Sequence, residues 1–91
     1  MSTLPELVHS IGKIERELQV FESKYGLLSD EFYQAFSSGE LSEFDAYDEY
    51  RMEFIEWAAL CRIRQKMTLT YAELSRRRPT SVRIRHQLAI A

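Results

Sequence analysis

The stretch SEFDAYDEYRMEFIEWAALCRIRQKMTLTYAELSRRR, residues 42–78, decides the fold. It contains no Gly and no Pro, and it stops at Pro79. Apolar residues recur at Tyr47, Tyr50, Phe54, Trp57, Leu60, Ile63, Met67, Tyr71 and Leu74, in steps of three and four that keep them on one helical face. Ser42 with Asp45 three residues later has the form of a capping box. The reading is one helix from Ser42 to Arg78, roughly 50 Å long at about 1.5 Å per residue.

Upstream, Thr3 and Glu6 form another capping-box pattern, with Pro5 tolerated in the first turn. Leu4, Leu7, Ile11, Ile14, Leu18, Phe21 and Tyr25 then follow in alternating steps of three and four. That is the a/d pattern of a coiled-coil seam. Gly12 weakens this helix by about 1 kcal/mol relative to Ala, and Gly26 is a natural stop. Ser29 is the expected cap of a short second helix, with Leu28 and Tyr33 as a hydrophobic staple and Asp30 and Glu31 favouring the dipole of its first turn. If the two long helices pack antiparallel, the end of the third overhangs, and Ile63, Met67, Tyr71 and Leu74 on that overhang predict a homodimer or higher oligomer.

After Pro79 the pattern changes to period two. Val82, Ile84, His86, Leu88 and Ile90 alternate with Ser81, Arg83, Arg85, Gln87 and Ala89, which predicts a strand or extended arm, with a short helix capped by Ser81 as the competitor. The expected fold is therefore all-α: two long antiparallel helices joined by a short one, a helical domain over residues 1–78, and a basic C-terminal arm over residues 79–91.

Composition bounds the function. Ninety-one residues make at most one domain, and 45% hydrophobic with 29% charged residues is ordinary for a globular chain. No apolar run approaches a membrane span, and the N-terminus lacks the basic start and apolar core of a signal peptide. One cysteine, Cys61, forms no internal disulfide, so a reducing cytoplasm is the expected compartment. The net charge of −2 conceals an asymmetry. Residues 1–60 hold 4 Lys+Arg and 13 Asp+Glu, for −9, whereas residues 61–91 hold 8 and 1, for +7.

Three constellations follow. The acidic one comprises Glu40, Glu43, Asp45, Asp48, Glu49, Glu53 and Glu56; Asp45, Glu49 and Glu53 repel at i, i+4, i+8 on a lone helix. It reads as a solvated face or as a surface for a basic partner; a metal site is disfavoured because no Glu-x-x-His pair is present. The aromatic one is too dense for a small core to hold entirely, so Tyr50 and Trp57 are candidate contact anchors as well as candidate core. The basic one includes Arg62, Arg64, Lys66, Arg76, Arg77, Arg78, Arg83 and Arg85. Its end suits nucleic acid, the acidic cluster of a second copy, or a solvated tail. His9, His86 and Cys61 share no metal-ligand spacing, and no phosphate loop or nucleophile elbow is present, so neither an enzyme nor a cofactor is expected.

Lys24-Tyr25-Gly26, Ser29-Asp30-Glu31-Phe32-Tyr33, Phe36, Gly39-Glu40-Leu41 and Phe54-Ile55-Glu56-Trp57-Ala58-Ala59-Leu60 come in an order that resembles the TumA-like antitoxins, small helical prokaryotic proteins encoded beside TumE-type toxins. The resemblance covers about residues 12–70; the Arg-rich end after Arg76 lies outside the pattern. It implies a protein that binds and neutralises a co-encoded, ribonuclease-like toxin, and that can also repress its own operon. On this reading the partner-binding residues are Asp45, Asp48, Glu49, Tyr50, Glu53, Glu56 and Trp57. The alternative is a small dimeric nucleic-acid-binding regulator that contacts operator DNA through Arg76, Arg77, Arg78, Arg83 and Arg85.

Overall fold

The computed structural model describes the backbone of residues 3–90 and the side chains of residues 3–89. Its elements are helical throughout: α1 (Leu4–Tyr25), α2 (Ser29–Ser37), a 3-10 turn (Ser42–Ala46), α3 (Asp48–Ser75) and α4 (Thr80–Ile90). No strand occurs among the described residues.

Local signals set α1. Glu6 donates its amide to Thr3 Oγ1 at 3.3 Å, and the Glu6 carboxylate accepts from the Thr3 amide at 3.2 Å, so the capping box is closed from both sides. At the far end Gly26 takes φ 72°, the left-handed region that a side chain resists, and its N–H reaches the Glu22 carbonyl at 2.9 Å.

The start of α2 is built differently from expectation. Leu28, not Ser29, holds the extended cap position, and no side chain of its own caps the helix. Ser29 is the first helical residue and is buried. The staple also shifts by one residue. Leu28 is exposed, whereas Leu27 packs against the core cluster that holds Phe32.

α3 begins at Asp48 instead of Ser42, and no side chain caps either Leu41 or Tyr47. The physical reason is the phase of Phe44. On one continuous helix it would sit about 80° around from Phe54 and about 140° from Trp57, given 3.6 residues per turn. The tighter turn, with Phe44 N–H to Leu41 O and Tyr47 N–H to Phe44 O both at 3.0 Å, brings Phe44 back onto Phe54 at 5.7 Å between ring centroids. The capping pattern at Ser42 loses to an aromatic that has to reach the core.

The core lies where α1, α2 and α3 meet. Leu18, Phe32, Phe54, Trp57 and Ala58 are buried, with Ile14, Phe21, Tyr25, Leu27, Phe36, Phe44 and Leu60 among the half-buried residues around them. Tyr25 meets Phe54, Phe21 meets Trp57, and Glu15 meets Arg64, so residue numbers rise along α1 as they fall along α3.

The period-two pattern after Pro79 favours a strand or extended arm over a short helix, but the described part, Thr80–Ile90, is the helix. Its first bond runs from the Arg83 amide to the Pro79 carbonyl, not from a Ser81 cap. With no second strand to pair against, an extended arm would leave its backbone to water, whereas a helix satisfies it internally. α4 also changes the overhang. Tyr71 and Leu74 are half-buried, and with Leu4, Pro5 and Val8 of α1 and Ile84 and Leu88 of α4 they line an open groove of about 1010 Å³. Ile63 remains exposed.

Gly26→Ala forces a Cβ into the left-handed region although nothing lies within 4 Å of it. A loss of about 1–2 kcal/mol in denaturant unfolding is expected from backbone strain alone, with the helical circular dichroism retained.

Candidate functional site

The residues expected to bind a partner divide into two groups. Trp57 is fully buried and belongs to the core, one of its two expected readings. Phe32 lies parallel to its indole at 3.8 Å between centroids, and Phe21 and Tyr25 stack at 5.5 and 5.6 Å. Its one polar atom is satisfied as well. Trp57 Nε1 donates to Ser29 Oγ at 2.9 Å, and Ser29 donates its hydroxyl and its amide to Glu22 Oε2 at 2.8 and 2.9 Å. A carboxylate from α1 thus caps α2, where the helix dipole favours negative charge.

Glu53 also leaves the free acidic surface. Lys24 Nζ is 2.5 Å from its Oε1, and the Tyr25 hydroxyl donates to Oε2. The bond from Lys24, then that from Tyr25, lowers the Glu53 pKa below the ordinary carboxylate range. Lys24 is raised, chiefly by the same bond, and Tyr25 is raised by burial and then by its bond to Glu53. Glu53 joins the end of α1 to α3 and is part of the scaffold.

The remaining carboxylates face solvent. Asp45 is in the 3-10 turn, and Asp48, Glu49 and Glu56 are on α3, all exposed. Asp48 accepts from Arg51 one turn on at 3.2 Å, an exposed i,i+3 pair worth little. Tyr47 is 59% exposed, and Tyr50 is 37% exposed while packing edge-on against Phe44 and Tyr47. The end of the molecule therefore offers charge beside aromatic surface that the core does not use.

The basic residues gather at the other end of α3 and on α4. Arg76 pairs with Glu73 at 3.1 Å. Arg83 donates to the Tyr71 hydroxyl at 2.9 Å, and its guanidinium lies 5.3 Å from the centre of that ring. Arg77, Arg78 and Arg85 are exposed and make no ion pair among the described residues. Cys61 is half-buried; burial raises its thiol pKa, and its Sγ is 3.9 Å from the Ser29 carbonyl oxygen. No group of three His, Cys, Asp or Glu among the described residues could hold a metal ion. No described helix is long and apolar enough to cross a membrane.

Sequence reasoning missed Glu22 and Ser29 as one unit, because only the return of the chain at Gly26 brings them together. It also passed over Met52 and Ile55, which are 63% and 49% exposed. Their signal was present: Met52, Ile55, Ala59 and Ile63 are spaced by three, four and four residues, a second apolar line on α3, and Ile63 is exposed on this line instead of on the core-facing one where the periodicity put it. The chain matches no protein-family model, no curated protein and no solved structure.

Ser29→Ala leaves the buried Trp57 Nε1–H without its acceptor, and about 1–3 kcal/mol of stability is expected to go with it in chemical denaturation. A second expectation concerns pH. The Glu53 pKa is depressed on folding, so its contribution is present above the unfolded carboxylate pKa and is lost as pH falls through the lower folded value. Thermal melts should drop across the acid range, and Glu53→Gln should flatten that part of the drop.

Proposed function

We propose that this chain is an antitoxin-like protein-binding module that neutralises a co-encoded toxin by direct contact. It acts as a binder and not as an enzyme, in the cytoplasm, on a helical hairpin of α1 and α3. The observation that carries the reading is the α3 end. Asp45, Asp48, Glu49 and Glu56 are exposed there beside the exposed rings of Tyr47 and Tyr50. The adjacent Glu53 and Trp57 serve the scaffold. Carboxylates in this arrangement suit a basic partner such as the nucleic-acid-binding cleft of a ribonuclease-like toxin. They would speed encounter, while the aromatic rings would supply contact energy. The resemblance of residues 12–70 to TumA-like antitoxins supports the same conclusion.

The test uses the toxin encoded in the adjacent reading frame. Asp45→Lys with Glu49→Lys alters two exposed residues, so the melt should move little, by under about 0.5 kcal/mol per site. The double variant should associate with the toxin at least tenfold more slowly at low salt and should protect cells poorly. Protection equal to that of the parent would show that this end is only solvated.

A second reading is favoured by the exposed cluster of Arg77, Arg78 and Arg85. If these contact operator phosphates, affinity for the promoter should fall steeply as salt rises, and Arg77→Ala should reduce the slope of log affinity against log salt by about 1. An electrophoretic shift assay at low salt with no retarded species would remove it.

A further inference from the structure

Opposite its core-facing side, α3 carries a second apolar line of Met52, Ile55, Ala59 and Ile63. Met52, Ile55 and Ile63 are 63%, 49% and 43% exposed, which is expensive for an isolated helix face. The charges along this line are ordered. Asp48, Glu49 and Glu56 flank its first half with only Arg51 against them, and Arg62 and Lys66 flank its second. All but Asp48 and Arg51, which pair with each other, make no ion pair among the described residues.

We infer that this face binds a second copy of the chain, with the two α3 helices antiparallel and centred on Ala59. The argument is complementarity of the face with itself. Ile55 and Ile63 stand four residues to either side of Ala59. Reversing a copy about that point sets Ile55 against Ile63 of the second copy. The small side chain at the centre lets the helices approach closely. The same reversal puts the acidic half of each line beside the basic half of the other. A basic partner would satisfy only the acidic half, and a parallel copy would set like charges together. The antiparallel pair is isologous and closed, so it ends at a dimer. This pairing draws on Asp48, Glu49 and Glu56, which the toxin-binding reading also uses, but its test contains no toxin, so either can fail without the other.

Sedimentation equilibrium from 5 to 500 μM should show a monomer–dimer equilibrium that weakens with added salt, since the flanking charges are exposed and screened. Two variants read the charge pattern. Asp48→Lys, Glu49→Lys and Glu56→Lys together make the whole line basic, and Arg62→Glu with Lys66→Glu makes it predominantly acidic. Each alone should dimerise at least tenfold more weakly than the parent, and an equimolar mixture should form heterodimers that recover most of the loss. Met52→Ser with Ile55→Ser should weaken association tenfold without touching charge, and circular dichroism should show the parental helix content in every variant. A monomer at all concentrations would overturn the proposal. So would association that none of the substitutions changes, because it would place the contact elsewhere, for instance on the groove beside α4. A mixture that stays as weak as its parts would overturn the antiparallel charge match.

Discussion

The buried indole of Trp57 is the constraint on which the rest depends. A ring of that size with a polar N–H is stable in a core only when its faces are covered and its proton has an acceptor. Each need is met by a different helix. Phe21 and Tyr25 of α1 and Phe32 of α2 cover the ring, and Ser29 of α2 takes the proton. Ser29 passes its own proton to Glu22, so α1 closes the circuit. Three helices are held in register by one side chain and two polar partners. The same arrangement leaves no buried side-chain nitrogen or oxygen without a partner among the described residues.

This scaffold determines what remains outside. Once Trp57 and Phe54 face inward, the helical period sends Met52, Ile55 and Ile63 to the opposite side of α3. The bonds from Lys24 and Tyr25 tie Glu53, still partly exposed, to the scaffold and leave Asp45, Asp48, Glu49 and Glu56 facing solvent. Charge is therefore sorted along the molecule, whose longest extent is 54 Å. The acidic end carries the aromatic surface, and the basic end carries the groove and α4. The helix dipole of α3 agrees with its own acidic start.

The legible features were those whose causes are local. The Thr3–Glu6 box and Gly26 act within a few residues of α1, and both are read directly from spacing. The existence of α3 was equally plain, because 3.6-residue periodicity persists over many turns. Its start was not, because Phe44 breaks the helix to reach Phe54, a contact ten residues away in sequence. Ser29 had the right residue type for a cap, but its hydroxyl is taken by a tryptophan 28 positions later. At Thr80–Ile90 the pattern fitted two periods, and the absence of a pairing strand decided between them. For the site, the carboxylates were legible as a cluster. Which of them would be spent on the scaffold depended on the register of α1 against α3, and sequence spacing does not contain that.

In the proposed function, the core uses Trp57 and Glu53 and leaves the acidic, aromatic end to bind a partner. Heteronuclear NMR of the labelled chain, titrated with the proposed toxin partner, tests this directly. Shifts should concentrate at Asp45, Asp48, Glu49, Tyr50 and Glu56, with the Trp57 indole N–H resonance unmoved. Shifts centred on α4, or a displaced Trp57 indole resonance, would contradict it.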